Sequence, residues 1–302
     1  MCSPSARVPN HRFSVVIPAN DEEALVERCL AFVYDLEPDE AEVVVVANGC
    51  TDDTVTRASR VAGVLVVDLP TPGKSEALNA GDLAVSAFPR IYLDADVVVE
   101  ADALRALVEI LTDGPPMVAA LRADFVTAGR PLVVRLFYAA HRRLPYLSGA
   151  MVGTGLYALN AAGRSRFPFF PALTADDLFV QRHFAAYETI VVDHVSFVVE
   201  VPRTARDLVR VRTRIAYGNA QFARTGEADR ARSTTDTMRA LVALPLRDVR
   251  MVPAALVYVA ITVMSRISAR RRSAGAWQRD VSTRAGAARD GGASADISER
   301  SP

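Results

Sequence analysis

The chain has 302 residues, half of them hydrophobic and 23% charged, which excludes a wholly disordered or collagen-like protein and supports one large domain or about two ordinary ones. Its zero net charge is unevenly placed: residues 1–199 carry 16 Lys and Arg against 25 Asp and Glu, and residues 200–302 carry 19 Arg against 10 acids. Three cysteines, Cys2, Cys29 and Cys50, are an odd number without a CxxC pair, so a disulfide framework and a cysteine zinc site are both disfavoured and a reducing compartment is expected.

Residues 1–12 read as an N-terminal extension without the apolar stretch of a secretory leader. From there two signals alternate. Phe13–Pro18, Glu42–Ala47, Val64–Asp68 and Ile91–Leu93 are short β-branched runs without strict alternation, as expected of strands covered on both faces. Glu22–Tyr34, Thr51–Val61, Ser75–Phe88 and Ala101–Leu111 lie between or after them with helical spacing. Strand and helix in repeated turn predict right-handed crossovers and an open, doubly wound, mainly parallel α/β sheet.

Further along, Met117–Phe125 reads as a strand and Leu132–Arg143 as a helix. Gly149–Leu159 reads as a glycine-broken strand pair, Asp176–Tyr187 as a helix, and Thr189–Val201 as one or two strands. Asp207–Ala223 is an arginine-rich helix, and Ser273–Pro302 has the composition of a disordered tail. Met251–Met264 is an uncharged apolar run bracketed by Arg250 and Arg266. It is short for a membrane span unless Leu241–Leu246 is recruited, and otherwise fits a docking helix or an interfacial helix pinned by arginines to anionic lipid.

In open α/β sheets ligands bind where strands end and the chain crosses over. Each of the first four strands is followed by small polar residues: Pro18-Ala19-Asn20-Asp21-Glu22, Asn48-Gly49-Cys50-Thr51-Asp52-Asp53, Pro72-Gly73-Lys74, and Asp94-Ala95-Asp96. One rim of the sheet is thus dressed for a polar ligand. The pair Asp94 and Asp96 repels itself unless a cation or donor neutralises it, and suits Mg²⁺ or Mn²⁺ shared with phosphate oxygens. A second pair, Asp176-Asp177, begins a helix. It serves either as a helix cap or as a general base whose proton affinity is raised by its neighbour.

With these pieces in order, the sequence resembles the GT-A-fold glycosyltransferases of family 2 from about Phe13 to Phe222. The motifs are VVIPANDEE (15–23), ANGCTDDT (47–54), GKSEALNAG (73–81), YLDADVVV (92–99), GTGLYAL (153–159) and TADDL (174–178). The resemblance implies a nucleotide-sugar-binding half at 13–125 and an acceptor-binding half at 126–224; beyond it, 225–272 reads as a C-terminal helical region in which the apolar run leaves docking and membrane association both open. The resemblance also implies that Pro18, Ala19, Asp21 and Glu22 hold the nucleoside, that Asn48 reads the base edge, and that Lys74 lies near the base or phosphates. Asp94, beside Ala95, would face the ribose, and Asp96, with Asp94, would hold Mg²⁺ or Mn²⁺ on the diphosphate. Gly153, Gly155 and Asp176 would shape the acceptor floor, and Asp177 would deprotonate the incoming hydroxyl in a single inverting displacement. Some such enzymes also recruit a late histidine to the metal, here His194.

Asp21-Glu22 stands where the family usually has Asn-Glu, and Ala47-Asn48 where two aspartates are common. The Gln-x-x-Arg-Trp signature of processive synthases is replaced by Val211-Arg212-Thr213-Arg214-Ile215, which points to a non-processive enzyme. Of Arg210, Arg212 and Arg214, residues two apart do not share a helix face, so at most some can reach the diphosphate, and Arg214 is the candidate. The expected partners are a nucleoside-diphosphate sugar, a hydroxyl acceptor and an anionic membrane surface, not nucleic acid. The expected location is cytoplasmic, peripheral to the membrane. A haloacid-dehalogenase-type phosphatase also places such an acidic pair after a strand but needs a later lysine, whereas Lys74 is the only lysine in the chain. A non-catalytic nucleotide-sugar-binding domain is the other alternative.

Overall fold

A computed structural model describes residues 11–111, 114–144, 155–173, 175–223 and 234–271. The expected tail at 273–302, the first part of the 149–159 segment and Gly153 lie outside those residues.

Seven strands form one sheet in the order β3-β2-β1-β4-β6-β5-β7. They are β1 Phe13–Ala19, β2 Ala41–Asn48, β3 Val64–Leu69, β4 Arg90–Leu93, β5 Val118–Val126, β6 Leu156–Leu159 and β7 Thr189–Glu200. β1 pairs in parallel with β2 and β4, β2 with β3, and β5 with β7. β6 runs antiparallel to both β4 and β5 and joins the two halves. The sheet is therefore mainly parallel, as the alternating pattern predicts.

The unbroken apolar runs have a direct cause. Val15, Ile17, Val43, Val45, Ile91 and Leu93 pack into one core with helices α1 (Val26–Cys29) and α4 (Ala101–Ile110). Val16, Val44, Val46 and Tyr92 pack into a second core on the other face, under helix α3 (Lys74–Ala84). A strand buried on both sides has no polar face to show. A third core joins helix α5 (Leu132–His141) to α8 (Ala205–Ala223), α9 (Thr234–Arg247) and α10 (Val252–Arg270). The remaining helices are α2 (Thr54–Ala58), α6 (Ala161–Arg164) and α7 (Asp176–Arg182).

Several helices are shorter than their periodicity predicts, and tertiary bonds explain where they stop. The helix expected over 22–34 is α1 followed by a 3₁₀ segment Leu30–Asp35. Glu22 and Glu23 give their backbone N–H groups to Thr54 Oγ1 and Asp52 Oδ2 instead of to a helix. α3 ends at Ala84 rather than Phe88 because Glu42 accepts bonds from the backbone of Ser86 and Ala87. β7 is one strand with three residues, Asp193–Val195, inserted between the partners of Leu121 and Arg122.

His141, in the third core, stacks on Phe137 and meets Phe125 edge-on. Burial holds its pKa well below the ordinary histidine value, and the charges of Arg212 and Arg142 push the same way. The folded state keeps this ring neutral, while the unfolded chain takes up a proton near pH ~6.5. Its stabilising share is therefore complete above that pH and is lost as pH falls toward the depressed folded value. A His141→Phe variant, which fits the aromatic cluster, should lose less melting temperature than the wild type between about pH 7.5 and about pH 5. Parallel slopes in the two proteins would contradict a neutral His141.

Candidate active site

The loops after β1 and β2 are laced together. Asp21 adopts a left-handed backbone (φ 51°), and its carboxylate accepts from the backbone N–H of Thr51 (2.5 Å) and from the Thr51 hydroxyl (3.1 Å). Glu23 accepts from Asp53 N, and Asp52 accepts from Glu23 N, so the two loops exchange bonds in both directions. Asn20 donates to the carbonyl of Asn48 at 2.5 Å, and Asn48 donates to that of Ala19 at 2.8 Å. The Asn48 Oδ1 accepts from Gly73 N, tying the third loop to the same point. Asn48 thus spends its amide on backbone and is buried. Pro18 and Ala19, both buried, end β1 beneath this lacing. Gly49 turns the chain at φ +60°, and a side chain there would collide with the backbone of Pro72.

The end of β4 supplies the acidic pair. Asp94 is partly exposed, Ala95 buried and Asp96 exposed. Cys29, fully buried beneath them, reports their proximity. Burial raises its thiol pKa most, and the negative charges of Asp96, Asp94 and Glu22 raise it further. Three carboxylates from two loops therefore converge above one thiol.

Lys74, the first residue of α3, joins this group to the second acidic pair. Its Nζ lies 2.7 Å from Asp94 Oδ1 and 2.9 Å from Asp176 Oδ1. Burial opposes the charge on Lys74, but Asp176 and Asp94 outweigh it and hold the ammonium above the ordinary lysine pKa. Asp176 is buried, and its other oxygen accepts from the Tyr157 hydroxyl at 3.2 Å. Burial keeps that phenol protonated, aided by the charges of Asp176, the Tyr92 ring, Asp177 and Asp94. Asp177 is half-buried in the first turn of α7. Glu22, Asp94, Asp96, Asp176 and Asp177 thus line one continuous rim.

Residues 14–151 match the sequence model of the family described as glycosyl transferase family 2. An uncharacterized glycosyltransferase of Mycobacterium tuberculosis is 34% identical over 155 residues, covering 51% of this chain and 62% of that protein, as is its counterpart in Mycobacterium bovis. The match thus spans less than two thirds of those relatives. Among solved structures, a mannosyltransferase of Pyrobaculum calidifontis in complex with GDP-Man and Mn²⁺ aligns over 86% of each chain, with TM-score 0.61 and 24% identity. Glucosyl-3-phosphoglycerate synthase of M. tuberculosis, in complex with phosphoglyceric acid, aligns over 68% of this chain and 77% of its own, with TM-score 0.50 and 25% identity. The stretch 14–151 is thus similar to glycosyl transferase family 2. The chain's fold is the GT-A fold of these neighbours.

Two other candidates, Arg214 and His194, lie beyond the matched stretch. Arg214 is half-buried on α8, where Arg210 pairs with Asp207 and Arg212 lies over the Phe137 ring at 5.5 Å. His194 is exposed in the inserted stretch of β7, a strand separated from β4 by β6 and β5. Ligand atoms of Asp21, Cys50 and Asp52 come within 4.8 Å of one another. Those carboxylates already accept bonds from Thr51, Thr54 and Glu23, and burial raises the Cys50 thiol. That cluster reads as loop cross-linking.

Sequence reasoning passed over four residues that build the site: Asn20, Thr51, Asn79 and Tyr157. All four lie inside the quoted motifs. Asn20 carries a buried Oδ1 that meets no donor among the described residues, and Asn79 bonds both backbone groups of Phe170. Tyr157 was hidden because a tyrosine in a short apolar strand looks like core.

Gly155 sits directly under the acidic pair. Its φ is +76°, its carbonyl accepts from Asp94 N at 2.8 Å, and a Cβ there would stand 2.8 Å from Val97 Cγ2 and 3.2 Å from Asp94 Oδ2. Gly155→Ala should therefore cost about 1–2 kcal/mol from the left-handed backbone alone, and also push the Asp94 carboxylate. A thermal melt should show a drop of several degrees. An unchanged melting temperature would mean that residue 155 does not bear on Asp94.

Proposed function

We propose that this protein is a metal-dependent, inverting, non-processive glycosyltransferase that moves a sugar from a nucleoside-diphosphate sugar to a hydroxyl acceptor. The observation that carries this reading is the convergence of Glu22, Asp94, Asp96, Asp176 and Asp177 on one rim of a GT-A fold, with Lys74 between the pairs. Residues 13–125 form the nucleotide-sugar half and 126–224 the acceptor half. Pro18, Ala19, Asp21 and Glu22 cradle the nucleoside, and Ala95 carries the turn between the two aspartates. Asn48 acts by holding three loops in register, and the buried Asn20 oxygen supports a ligand that brings an N–H donor.

Asp94 and Asp96 offer hard carboxylate oxygens one residue apart, which suits Mg²⁺ or Mn²⁺ completed by phosphate oxygens and water. Such an ion, when bound, neutralises charge on the departing nucleoside diphosphate. Lys74 and Arg214 supply further positive charge toward the phosphates. Asp177 takes the proton from the acceptor hydroxyl at its carboxylate as that oxygen attacks the anomeric carbon from the side opposite the diphosphate. Gly153, Gly155 and Asp176 shape the floor on which the acceptor rests. The Pyrobaculum mannosyltransferase, alike in fold, was solved with the same class of donor and ion. The domain match leaves the haloacid-dehalogenase-type phosphatase without support.

A melting screen of UDP-, GDP- and dTDP-sugars with Mn²⁺ tests donor binding, because a ligand above its Kd stabilises the folded state by mass action. One nucleotide class should raise the melting temperature, and EDTA or Asp96→Ala should remove the shift. Asp177→Asn should keep the shift but lower sugar transfer about 100-fold or more. No stabilisation by any donor would overturn the reading. Full transfer by Asp177→Asn would remove Asp177 as the base, and binding without transfer in the wild type would favour a non-catalytic domain.

The enzyme is placed on the cytoplasmic side of a membrane, bound peripherally through its basic C-terminal third. Val249–Arg270 is the one helical stretch among the described residues that is long and apolar enough to cross a membrane. One side packs on the domain: Tyr258 stacks on Phe137 at 4.9 Å, and Ala254, Ile261 and Ala269 are buried. The opposite side exposes Val252, Leu256, Val259, Val263 and Ile267. These five fall within about 80° of one another on a helical wheel and run about 22 Å along the axis. Arg247, Arg250, Arg266, Arg270 and Arg271 flank the stripe, and Val249–Arg271 contains no acidic residue. A symmetric dimer would set these arginines against their own copies, whereas an anionic bilayer surface complements them. The full chain should co-sediment with phosphatidylcholine vesicles containing about 30% phosphatidylglycerol and be released by high salt. Leu256→Glu together with Val263→Glu should abolish that binding while leaving the melting curve in place. Equal binding by the variant, or a stable dimer in solution without vesicle binding, would overturn the placement.

A further inference from the structure

Lys74 is the single lysine of the chain, and its ammonium joins two carboxylates that arrive from different halves of the site. Asp94 follows β4, whereas Asp176 opens α7 next to Asp177. The rest of α3 fastens the segment leading into α7. The Ser75 hydroxyl donates to the Leu173 carbonyl at 3.3 Å. Asn79 donates to the Phe170 carbonyl at 2.9 Å and accepts from its N–H at 2.8 Å. Asp176 has a second anchor in Tyr157, whose ring stacks on Tyr92 at 5.0 Å, and the Tyr92 hydroxyl in turn donates to Asp82 at 2.7 Å. Asp82 is held by Arg90 and Arg164. Asp176 is thus fixed from below by a buried chain of bonds. Among the described residues Asp94 has no comparable anchor, and its side chain is 36% exposed.

We propose that Lys74 is a clasp that occupies Asp94 until donor and ion arrive together, making ion binding depend on the nucleotide. The inference rests on the assignment of the ion to Asp94 and Asp96. An ammonium 2.7 Å from Asp94 Oδ1 stands where a cation would have to approach, and two positive charges do not share one oxygen without cost. An ion alone must displace Lys74 into nothing better. When a diphosphate is present, the displaced ammonium gains phosphate oxygens for its three donors. Asp176, still bonded to Tyr157, keeps α7 and Asp177 in place while Lys74 moves. Lys74 is then a positioning residue as well as a phosphate contact.

Mn²⁺ titrations of the full chain, followed by the paramagnetic signal of the free ion, test this with and without the nucleoside diphosphate that stabilises the protein. Lys74→Met should bind Mn²⁺ alone about tenfold more tightly than the wild type, and the nucleotide should no longer strengthen ion binding. Lys74→Arg should restore the wild-type pattern, because it returns a cation to Asp94. Should Lys74→Met fail to fold, Lys74→Gln carries the same comparison. Mn²⁺ binding by the neutral variant that is no tighter than in the wild type would overturn the clasp. Wild-type Mn²⁺ binding that survives Asp96→Ala unchanged would instead remove the ion site on which it rests.

Discussion

Carboxylates repel one another, and this fold brings five of them to one edge of a sheet. Two like charges about 4 Å apart near a protein surface repel by about 4 kcal/mol, so such a rim is stable only if positive charge or donated protons are built in beside it. Lys74 meets that requirement between Asp94 and Asp176. Backbone N–H groups meet it for Asp21, Asp52 and Glu23 in the laced loops. Asp96 is exposed to water, whose high dielectric weakens the repulsion it adds. Much of the local architecture is thus the arrangement by which an acidic edge is kept compatible with folding while part of it stays available.

The parallel sheet was legible because its strands are buried on both faces, and that condition leaves continuous β-branched runs that no other element imitates. The acidic pairs were legible because they follow such runs directly, where the chain must turn across the rim. Helix ends were less so. Glu22, Glu23, Thr51 and Asp53 fall in stretches with helical patterning, yet their N–H groups are taken by the neighbouring loop. Periodicity cannot reveal such a bond because its partner lies about 30 residues away. The same distance hid the cross-loop bonds of Asn20, Thr51 and Asn48. The Asn48 amide bonds the chain on both sides of itself.

Tyr157 illustrates a different limit. In sequence it sits among Leu156, Ala158 and Leu159, all buried, and nothing distinguishes it from a core aromatic. Only the antiparallel pairing of β6 with β4 sets it opposite Tyr92 and under Asp176. Buried polar groups have to be satisfied, and here one such requirement connects to the next. Arg90 and Arg164 satisfy Asp82, Asp82 receives Tyr92, the Tyr92 ring supports Tyr157, and Tyr157 holds Asp176. A polar chain of this kind gives the start of α7 a fixed seat without using exposed surface.

The two ends of the molecule answer to different physics. At the rim, affinity for a small charged ligand requires preorganised charge, so side chains are braced from beneath and a single lysine mediates between pairs. Along α10 there is no such precision: the outward residues are simply apolar, and the flanking arginines need only lie near a charged plane. Joining them is the third core, in which α10 packs on α5 and α8 through Phe137, Tyr258 and Leu208. α8 continues from there to Phe222, which belongs to the core beneath α7. One continuous helix, α8, therefore connects the core under α10 to the core beneath α7. Anything that holds α10 also bears, through α8, on the core beneath α7.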